Sequence, residues 1–427
     1  MSIRSVRHAT AEGRVRAPPS KSYTHRALVA AFLADRPCEV VGPLDSDDTH
    51  ATRDGLRVLG ARIHGSRRGW KISPPLSQAR APRRAIQCRE SGTTLRFLSA
   101  VASLRSRPVR LEGSPVLSMR PMGQLYRVLQ DLGATVTTPS TGRALPCTIQ
   151  GPLAAGSVAI RGDVSSQFTS ALLFALPTVQ GESRLRILGP AVSQPYVDAT
   201  CAVLDKQGVH VRRTGRGFVI PGGQRYRAGR LRVPGDASSA AYLWAAAAAT
   251  GGCVEVEGIP PDLPQADLAI LPILARMGAV VRRTVREIEV SGPLTEPISV
   301  NLTDAPDLFP LVSVLAALIP RRRSRLLGAP HLEFKESDRR LQSARLARAI
   351  GATVSQRRSS LEITGTSSPR PLHLPSLRDH RIVMSAAVAG LAAHGPSRIG
   401  RAEAVSKSFP GFWDALGTLT PGGGRVR

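Results

Sequence analysis

The segment MGQLYRVLQDLGA at residues 122–134 shows the pattern that recurs along this chain of 427 residues. Its apolar side chains follow a spacing of i, i+3, i+7 and i+10, which places them on one face of a helix; they are Met122, Leu125, Leu129 and Leu132. Gly133 comes next, and glycine is typical of the position just past a helix C-terminus. The segment therefore predicts an amphipathic helix that ends at Gly133 and is followed by β-structure.

Similar glycines end similar stretches elsewhere in the chain, at Gly60, Gly208, Gly278, Gly351 and, in a weaker form, Gly417. Successive glycines of the set are 66 to 75 residues apart, and near-equal spacing of this kind indicates structural repeats. Two short strands around a polar turn are predicted after the first five glycines, as at residues 61–64 and 69–72. We therefore expect an α/β (α+β) fold of six repeated units, in two groups of three.

The sixth unit is incomplete, because only residues 418–427 follow Gly417 and they have little strand character. A strand from the N-terminus, within residues 2–15, is the expected replacement. One domain would then be closed by both ends of the chain. A second repeat, GDVSS at 162–166 and GDASS at 235–239, supports the division into two equivalent halves.

The composition predicts a folded protein, since 42% of the residues are hydrophobic and the mean hydropathy is −0.06. The longest apolar run, at residues 240–249, is shorter than the ~20 residues of a membrane span. Residues 1–13 contain no apolar core of a secretory signal. We therefore expect a soluble cytoplasmic protein that does not bind membranes.

The net charge is +27, and 53 of the 58 basic residues are arginine. The chain contains one asparagine, five cysteines and five methionines. Scarcity of these thermolabile residues beside so much arginine predicts a thermostable protein, although a GC-rich genome would also favour arginine. The cysteines form no CxxC pair, which argues against zinc and redox motifs.

Polar clusters stand directly before several apolar stretches, which places them at helix N-termini. Their Ser, Thr and Asp residues are typical caps, but a cap needs no cation. A cation there opposes the helix dipole unless an anion binds. Together the clusters predict a site for a strongly anionic ligand, with Asp307 and Glu336 as carboxylates for proton transfer. They are PSKS (19–22) with Arg26, ESGTT (90–94) with Arg96, RPMG (120–123), SSQ (165–167), DAPD (304–307), KESDR (335–339), DHR (379–381) and SKS (406–408).

In this order the clusters resemble the motifs of the enolpyruvyl-transferase family, in particular its EPSP synthases. The resemblance extends from about Pro18 to Leu419, and DSDDT at 45–49 and KSFP at 407–410 fit it as well. It implies a two-domain inside-out α/β barrel, with three βαβαββ units in each domain. Residues 14–231 would form a continuous domain on the shikimate-phosphate side. Residues 1–13 and 232–427 would form a discontinuous domain on the phosphoenolpyruvate side.

The resemblance also implies the activity. The carboxyvinyl group of phosphoenolpyruvate would be transferred to the 5-hydroxyl of 3-phosphoshikimate, through a tetrahedral intermediate and with elimination of phosphate. The reaction belongs to the shikimate pathway of aromatic amino-acid biosynthesis. No metal and no organic cofactor would be needed, the partners would be the two small-molecule substrates, and the enzyme would be a monomer.

Site residues follow from the positions that match the family motifs. For 3-phosphoshikimate binding these are Lys21, Ser22, Arg26, Ser165, Ser166, Gln167, Ser193, Tyr196, Asp307 and Lys335. For phosphoenolpyruvate binding they are Lys21, Gly92, Arg120, Gln167, Arg339, Arg381 and Lys407. The catalytic set is Asp307 as proton acceptor, with Lys335, Glu336 and Lys21.

Other motif residues are expected to have supporting roles. Asp338 and Asp379 would orient neighbouring cations or cap helices, and Asp47 and Asp48 would be caps. His25 would pack in the interior. Glu90 and His331 stand where many family members have asparagine, a departure that would alter hydrogen bonding to the substrate.

Two alternative functions fit parts of the sequence. The related enzymes that transfer enolpyruvate to UDP-N-acetylglucosamine typically use a loop cysteine, and neither Cys88 nor Cys147 stands in such a motif. Nucleic-acid binding is suggested by the charge and a pI near 11.4. The arginines are spread along the chain, however, and only 4% of the residues are aromatic. We therefore expect no specific nucleic-acid partner.

Overall fold

The computed structural model describes residues 2–66, 68–75, 82–328, 330–357 and 359–421, with the backbone alone described for Pro330 and His331. His331, one of the two predicted departures from the family motif, therefore lies outside the described side chains. The chain divides into two compact units. Unit 1 comprises Met1–Pro18 and Pro234–Arg427, and unit 2 comprises Pro19–Val233.

The elements follow one another in a repeating order. The strands are β1 Ile3–Val6, β2 Glu12–Arg16, β3 Cys38–Val41, β4 Arg62–Ser66, β5 Gly69–Ser73, β6 Ile86–Gln87, β7 Val109–Glu112, β8 Thr135–Thr137, β9 Cys147–Gln150, β10 Ser157–Arg161, β11 Ser183–Leu188, β12 Arg212–Thr214, β13 Gly217–Ile220, β14 Arg230–Arg232, β15 Cys253–Glu257, β16 Val280–Arg283, β17 Glu287–Ser291, β18 Ser299–Asn301, β19 Arg323–Leu327, β20 Thr353–Gln356, β21 Ser360–Thr364, β22 His373–Leu374 and β23 Ser397–Gly400. The α-helices are α1 Lys21–Leu33, α2 Asp47–Val58, α3 Gly92–Ala102, α4 Pro115–Ser118, α5 Gly123–Asp131, α6 Ser166–Ala175, α7 Gln194–Lys206, α8 Ala237–Thr250, α9 Ile270–Arg276, α10 Phe309–Ala317, α11 Arg339–Ile350, α12 His380–Ala392 and α13 Phe412–Leu419. Short 3-10 helices cover Leu176–Thr178, Ala266–Ala269, Pro306–Leu308, Pro330–Phe334 and Ala402–Lys407.

One strand order is used throughout the described residues. Unit 2 contains the sheets β14-β3-β5-β4, β6-β7-β9-β8 and β10-β11-β13-β12, and unit 1 contains β2-β15-β17-β16, β18-β19-β21-β20 and β22-β23-β1. In every sheet the first two strands are parallel and the remaining pairs are antiparallel. This repetition confirms the predicted mixed α/β fold of six units.

The N-terminal strand completes the sixth sheet, as predicted. β1 pairs antiparallel with β23, with Ile3 opposite Gly400, and takes the place that the third strand has in the other sheets. A strand in this place is needed because β23 would otherwise expose one edge of unpaired backbone groups.

The two compact units begin and end a few residues from the predicted domain boundaries. β2 pairs in parallel with β15 of unit 1, so unit 1 continues past Gly13 to Pro18. β14 pairs with β3 of unit 2, so unit 2 continues past Leu231 to Val233. Backbone pairing between strands that are distant in the chain decided both boundaries, and no local pattern reports that pairing.

Five of the six recurring glycines end a helical stretch with a positive φ, as at Gly133 with φ 95°. Only glycine adopts this conformation without strain from a side chain. The prediction for Gly417 was wrong, because Gly417 lies inside α13, which continues to Leu419.

Each unit has three helices that are buried on nearly all sides. They are α1, α3 and α6 in unit 2 and α8, α10 and α12 in unit 1. A helix that is apolar all round belongs in a protein interior. Five of the polar clusters stand at or directly before the first turns of α1, α3, α6, α10 and α12, and these helix starts are fixed in position by the packed cores behind them.

Candidate active site

In unit 2 the polar clusters cap the inner helices and also present cations. Ser91 caps α3 by accepting a bond of 3.2 Å from the amide of Thr94, and Ser165 caps α6 by accepting from the amide of Gln167 at 3.3 Å. Lys21 is the first residue of α1, and its Nζ lies 3.0 Å from the Oδ2 of Asp48. Because the N-terminal dipole favours negative charge, this arrangement suits an incoming anion.

Arg26 brings together several residues of the predicted 3-phosphoshikimate set. Its guanidinium donates to the carbonyl of Ser22 at 2.9 Å, to the carbonyl of Tyr196 at 2.7 Å and to the hydroxyl of Thr200 at 2.9 Å. Burial lowers the pKa of Arg26 to about 10, so the group stays charged at neutral pH. The buried cation thus ties the start of α1 to the start of α7.

Gln167 is held by the ESGTT cluster. Arg96 Nη1 donates to its Oε1 at 2.6 Å, and its Nε2 donates to the hydroxyl of Thr93 at 2.9 Å. A Cβ placed on Gly92 would lie 2.4 Å from Nη1 of Arg120. Glycine at this position therefore lets the Arg120 guanidinium lie against the backbone at the start of α3.

Ser193 directly precedes α7 and has φ 56° and ψ 38°, a left-handed conformation that is rare for residues other than glycine. Such a conformation costs on the order of 1 kcal/mol. Strain of this kind is often found at functional sites. Ser193 and Ser166 are both buried, and Ser165 is half-buried.

In unit 1 the guanidinium of Arg339 binds three carboxylates. It donates to Asp307 Oδ1 at 2.6 Å, to Glu336 Oε2 at 2.7 Å and to Asp379 Oδ2 at 2.8 Å. Arg339 is buried, and although burial alone would lower its pKa, these carboxylates raise the pKa well above its usual value. The planar guanidinium fork suits such multiple pairing.

Asp307 lies between two guanidinium groups. Its second oxygen accepts a bond of 3.0 Å from Nη2 of Arg381. Burial would raise the pKa of Asp307, but the charges of Arg381, Arg339 and Lys335 outweigh burial and hold it well below its usual range. In this structure, therefore, Asp307 is ionised and its negative charge is shared by both arginines.

Asp379 and Asp338 have the supporting roles that were predicted for them. Asp338 caps α11 by accepting from the amide of Leu341 at 3.0 Å. Asp379 caps α12 by accepting from the amide of Arg381 at 2.9 Å, and it also accepts from the hydroxyl of Ser337 at 3.0 Å. Asp379 thus fixes Arg339 and the start of α12 together.

Lys335 and Lys407 complete the cations of unit 1. Lys335 is half-buried in the segment before α11, where its charge acts on Asp307. Lys407 is the last residue of the 3-10 helix Ala402–Lys407 and is buried. The local folding of the KESDR and SKS clusters determines where these two lysines lie.

Sequence reasoning missed two groups of this site and misassigned a third. Asp267 is buried, and burial followed by the charge of Asp307 raises its pKa to about 6. Burial also raises the pKa of Tyr242 to about 12, beside Arg381. Asp48, predicted to be a cap, instead pairs with Lys21 while Ser46 provides the capping box of α2. None of these contacts has a local signal, because each joins separate parts of the chain.

Cys88 and Cys147 are buried thiols. Burial raises the pKa of Cys147 to about 11 and that of Cys88 further still. Because the thiolate is the reactive form, neither residue suits the loop cysteine of the UDP-N-acetylglucosamine enzymes. Among the described residues, no group of three or more His, Cys, Asp or Glu side chains is arranged to bind a metal ion.

A buried chain of side chains joins the starts of α1, α2 and α3. His25 Nδ1 lies 2.7 Å from the hydroxyl of Thr52, which lies 2.7 Å from the hydroxyl of Thr94, and Thr94 Oγ1 is 2.8 Å from Ser91 Oγ. Burial lowers the pKa of His25 to about 3, opposed by Asp48 and supported by Lys21 and Arg26. His25 is therefore a neutral structural residue.

This network makes stability depend on pH. The unfolded chain protonates His25 near its ordinary pKa of 6.5, whereas the folded chain does so only near 3. Stability is thus fully present above pH 6.5 and is lost as the pH falls from there toward 3. Between pH 7.5 and pH 5 we expect the unfolding free energy to fall by about 2 kcal/mol from this residue. Urea titrations of the protein and of His25→Gln should differ by that amount in pH dependence; equal pH dependence would contradict the assignment.

None of the helices in the described ranges is long and apolar enough to cross a membrane.

Comparison with known proteins places the chain in a family. A family model of EPSP synthase (3-phosphoshikimate 1-carboxyvinyltransferase) matches residues 7–416. A 3-phosphoshikimate 1-carboxyvinyltransferase of Methanocorpusculum labreanum is 39% identical over 412 residues, which cover 95% of this chain and 96% of the relative. That of Methanothrix thermoacetophila is 40% identical over 419 residues, with 98% of each chain covered.

A solved structure agrees with these matches. The EPSP synthase of Acinetobacter baumannii superposes with a TM-score of 0.79 at 26% identity, and 98% of each chain is covered. A family match over nearly the whole chain and relatives of similar length near 40% identity lead to one conclusion. This chain belongs to the EPSP synthase (3-phosphoshikimate 1-carboxyvinyltransferase) family.

Proposed function

We propose that this protein transfers the carboxyvinyl group of phosphoenolpyruvate to the 5-hydroxyl of 3-phosphoshikimate. The products are phosphate and 5-enolpyruvylshikimate-3-phosphate, an intermediate of the shikimate pathway. The observation that carries the proposal is the carboxylate of Asp307, which is bound by Arg339 at 2.6 Å and by Arg381 at 3.0 Å. The carboxylate can accept the proton of a substrate hydroxyl, and the two guanidinium groups can bind an anionic substrate beside it.

Unit 2 supplies most of the groups for 3-phosphoshikimate. Phosphate oxygens accept hydrogen bonds from hydroxyls, amides and cations, and helix N-termini provide all of these. The residues proposed for this ligand are Lys21, Ser22, Arg26, Ser165, Ser166, Gln167, Ser193 and Tyr196, together with Asp307 and Lys335 of unit 1. Their support is the match to the family motifs. In addition, the starts of α1, α6 and α7 carry Lys21, Ser22, Ser165, Ser166, Gln167, Ser193 and Tyr196.

Phosphoenolpyruvate carries a carboxylate and a phosphate, and guanidinium groups bind both in a bidentate manner. We assign its binding to Lys21, Gly92, Arg120, Gln167, Arg339, Arg381 and Lys407. The close approach of Arg120 to Gly92 supports this assignment, since it places a guanidinium group at the first turn of α3, where the helix N-terminus also favours an anion.

The chemistry needs one proton removed from oxygen and one exchanged at carbon. Asp307 accepts the proton of the 5-hydroxyl, and the oxygen forms a bond to C2 of phosphoenolpyruvate while C3 gains a proton. In the second step C3 loses a proton, the C2–O bond to phosphate breaks, and phosphate leaves. Lys335, Glu336 and Lys21 are the groups that we assign to the proton exchange at C3.

Substrate binding should also raise the pKa of Asp307, the proposed base. In this structure Arg339 and Arg381 are paired with Asp307. An anionic substrate that binds these arginines neutralises their charge and competes with Asp307 for their hydrogen bonds. The pKa of Asp307 then rises toward its ordinary value, and the carboxylate becomes a stronger base only when substrate is present.

The activity is tested by phosphate release from phosphoenolpyruvate with 3-phosphoshikimate as acceptor. A parallel assay with UDP-N-acetylglucosamine tests the related transferase activity. Release that depends on 3-phosphoshikimate alone supports the proposal, and release that depends on the nucleotide sugar alone overturns it.

The lysines provide a further prediction. In a chain with five lysines, Lys21 and Lys335 are half-buried and Lys407 is buried, all within the anion-site motifs, whereas Lys71 and Lys206 are exposed. A compact ammonium can fit between two phosphorylated ligands where a guanidinium cannot. Lys→Arg at 21, 335 or 407 should each lower kcat/KM by at least about tenfold. The same change at 71 or 206 serves as the control and should be nearly silent. Equal tolerance at all five positions in steady-state assays would refute the argument.

We further propose a thermostable, monomeric, cytoplasmic enzyme without a specific nucleic-acid partner. The five cysteines are all unbridged, which is typical of a reducing compartment. The arginine-rich composition supports heat resistance. Sedimentation equilibrium tests the monomer, a thermal scan tests the stability, and salt-dependent DNA retention tests nucleic-acid binding.

A further inference from the structure

A buried carboxylate stands beside one of the proposed catalytic cations. Asp47 and Asp48 both lie in the first turn of α2, where the helix dipole favours negative charge. Asp47 is exposed, whereas Asp48 is buried and its side chain is only 7% exposed. Asp48 Oδ2 lies 3.0 Å from Nζ of Lys21, whose side chain is 16% exposed. The helix dipole accounts for both acidic residues, and it is Asp48 that forms an ion pair with the lysine.

The surroundings hold Asp48 in place. The capping box of Ser46 and Thr49 fixes the start of α2. The carbonyl oxygen of Asp48 lies 3.4 Å from Oγ1 of Thr94, the residue that the hydroxyl chain connects to Thr52 of α2 and to Ser91. Carboxylate and ammonium therefore meet at a point defined by the packed starts of α1, α2 and α3.

A negative charge at this place is unfavourable for an enzyme of anionic substrates, because it repels them. It is explained if its effect on Lys21 outweighs that repulsion. The lysine stem has four rotatable bonds and a mobile ammonium group. A fixed carboxylate partner restricts that motion, and it also offsets the desolvation of a mostly buried cation.

We propose that Asp48 is the positioning residue of Lys21, and that it holds the ammonium group in the orientation the reaction needs. The inference rests on the proposed function, since it concerns the role of Lys21 there. Asp48 acts through the lysine and does not itself contact the substrates. Its loss should therefore affect the chemical step more than ground-state binding.

The test compares Asp48→Asn with Asp47→Asn. Both remove one negative charge from the first turn of the same helix, so the helix-dipole effect is matched. Asp48→Asn should lower kcat by at least about tenfold with a KM for phosphoenolpyruvate no higher than that of the unmodified protein. The KM should not rise because the change removes a repulsive charge and keeps the positive charge of Lys21. Asp47→Asn should stay within about twofold in both constants.

A double-mutant cycle separates positioning from general damage. In a Lys21→Met background, Asp48→Asn should cause no further loss of kcat, because its effect passes through the lysine. An equal loss in both backgrounds, or equal kcat for Asp48→Asn and Asp47→Asn, would overturn the inference. If Asp48→Asn does not fold, Asp48→Glu decides the same question, with at least about a fivefold loss of kcat expected and an unchanged kcat contradicting the inference.

Phosphate release by the unmodified protein shows whether the proposed function or only the role of Asp48 is wrong. If it does not release phosphate from phosphoenolpyruvate and 3-phosphoshikimate, the proposed function is wrong. If it does, and the two aspartate variants behave alike, only the role of Asp48 is wrong.

Discussion

Replacing Asp307 with alanine should lower kcat by about 10³-fold, the middle of the range for loss of a general base. The carboxylate is held by Arg339 and Arg381, and we propose that it accepts the proton of the 5-hydroxyl of 3-phosphoshikimate. Binding of 3-phosphoshikimate should change less than about tenfold, because the carboxylate acts mainly in the chemical step. Steady-state phosphate release and calorimetric titration with 3-phosphoshikimate measure the two quantities.

Asp304 provides the matched control. It is an exposed carboxylate three residues earlier in the same segment, and Asp304→Ala should remain within about twofold in kcat. Near-normal turnover of Asp307→Ala would show that another group accepts the proton.

The pH dependence gives a second measure of Asp307. The two guanidinium groups hold its pKa well below the usual range. Bound substrate neutralises them, so the pKa should be higher in the complex. The pH profile of kcat/KM reports pKa values of the free enzyme, and the profile of kcat reports those of the complex. The acidic limb should therefore lie at higher pH in the kcat profile than in the kcat/KM profile. Coincident acidic limbs in the two profiles would contradict the proposal that bound substrate competes with Asp307 for Arg339 and Arg381.

Replacing Asp379 with alanine should lower the unfolding free energy by about 3 kcal/mol, the cost of removing one partner from a buried ion pair. Asp379 is 1% exposed and accepts hydrogen bonds from Arg339, from Ser337 and from the amide of Arg381. Its removal leaves the Arg339 charge less compensated and α12 without its cap. Urea unfolding at pH 7 measures the change.

Asp338→Ala is the control for the cap alone. Asp338 accepts from the amide of Leu341 at the start of α11 and is half-buried. Its loss should cost about 1 kcal/mol, as is usual for an N-cap. If both variants lose the same amount, the pairing of Asp379 with Arg339 contributes nothing beyond the cap.

Local patterns in the sequence were sufficient for the repeating architecture. The spacing of apolar residues and of glycines predicted six units, and the helix stops at Gly60 and Gly133 have the positive φ expected of them. These features depend on residues within one or two turns of each other. The clusters at helix starts were likewise readable, because capping and charge at an N-terminus are local properties.

Only the tertiary structure shows which residues distant in the chain contact each other. Arg339 meets Asp307 and Asp379, which are 32 and 40 residues away, and Lys21 meets Asp48 at a separation of 27. A periodic pattern indicates which face of a helix is buried but not which neighbour packs against it. The same reason explains why the compact units extend a few residues past the predicted boundaries, since β2 and β14 belong to the sheets they pair with rather than to the helices they precede. The sequence by itself thus determined the repeats and the helix starts, and only the packing of those starts against each other determined which charges meet.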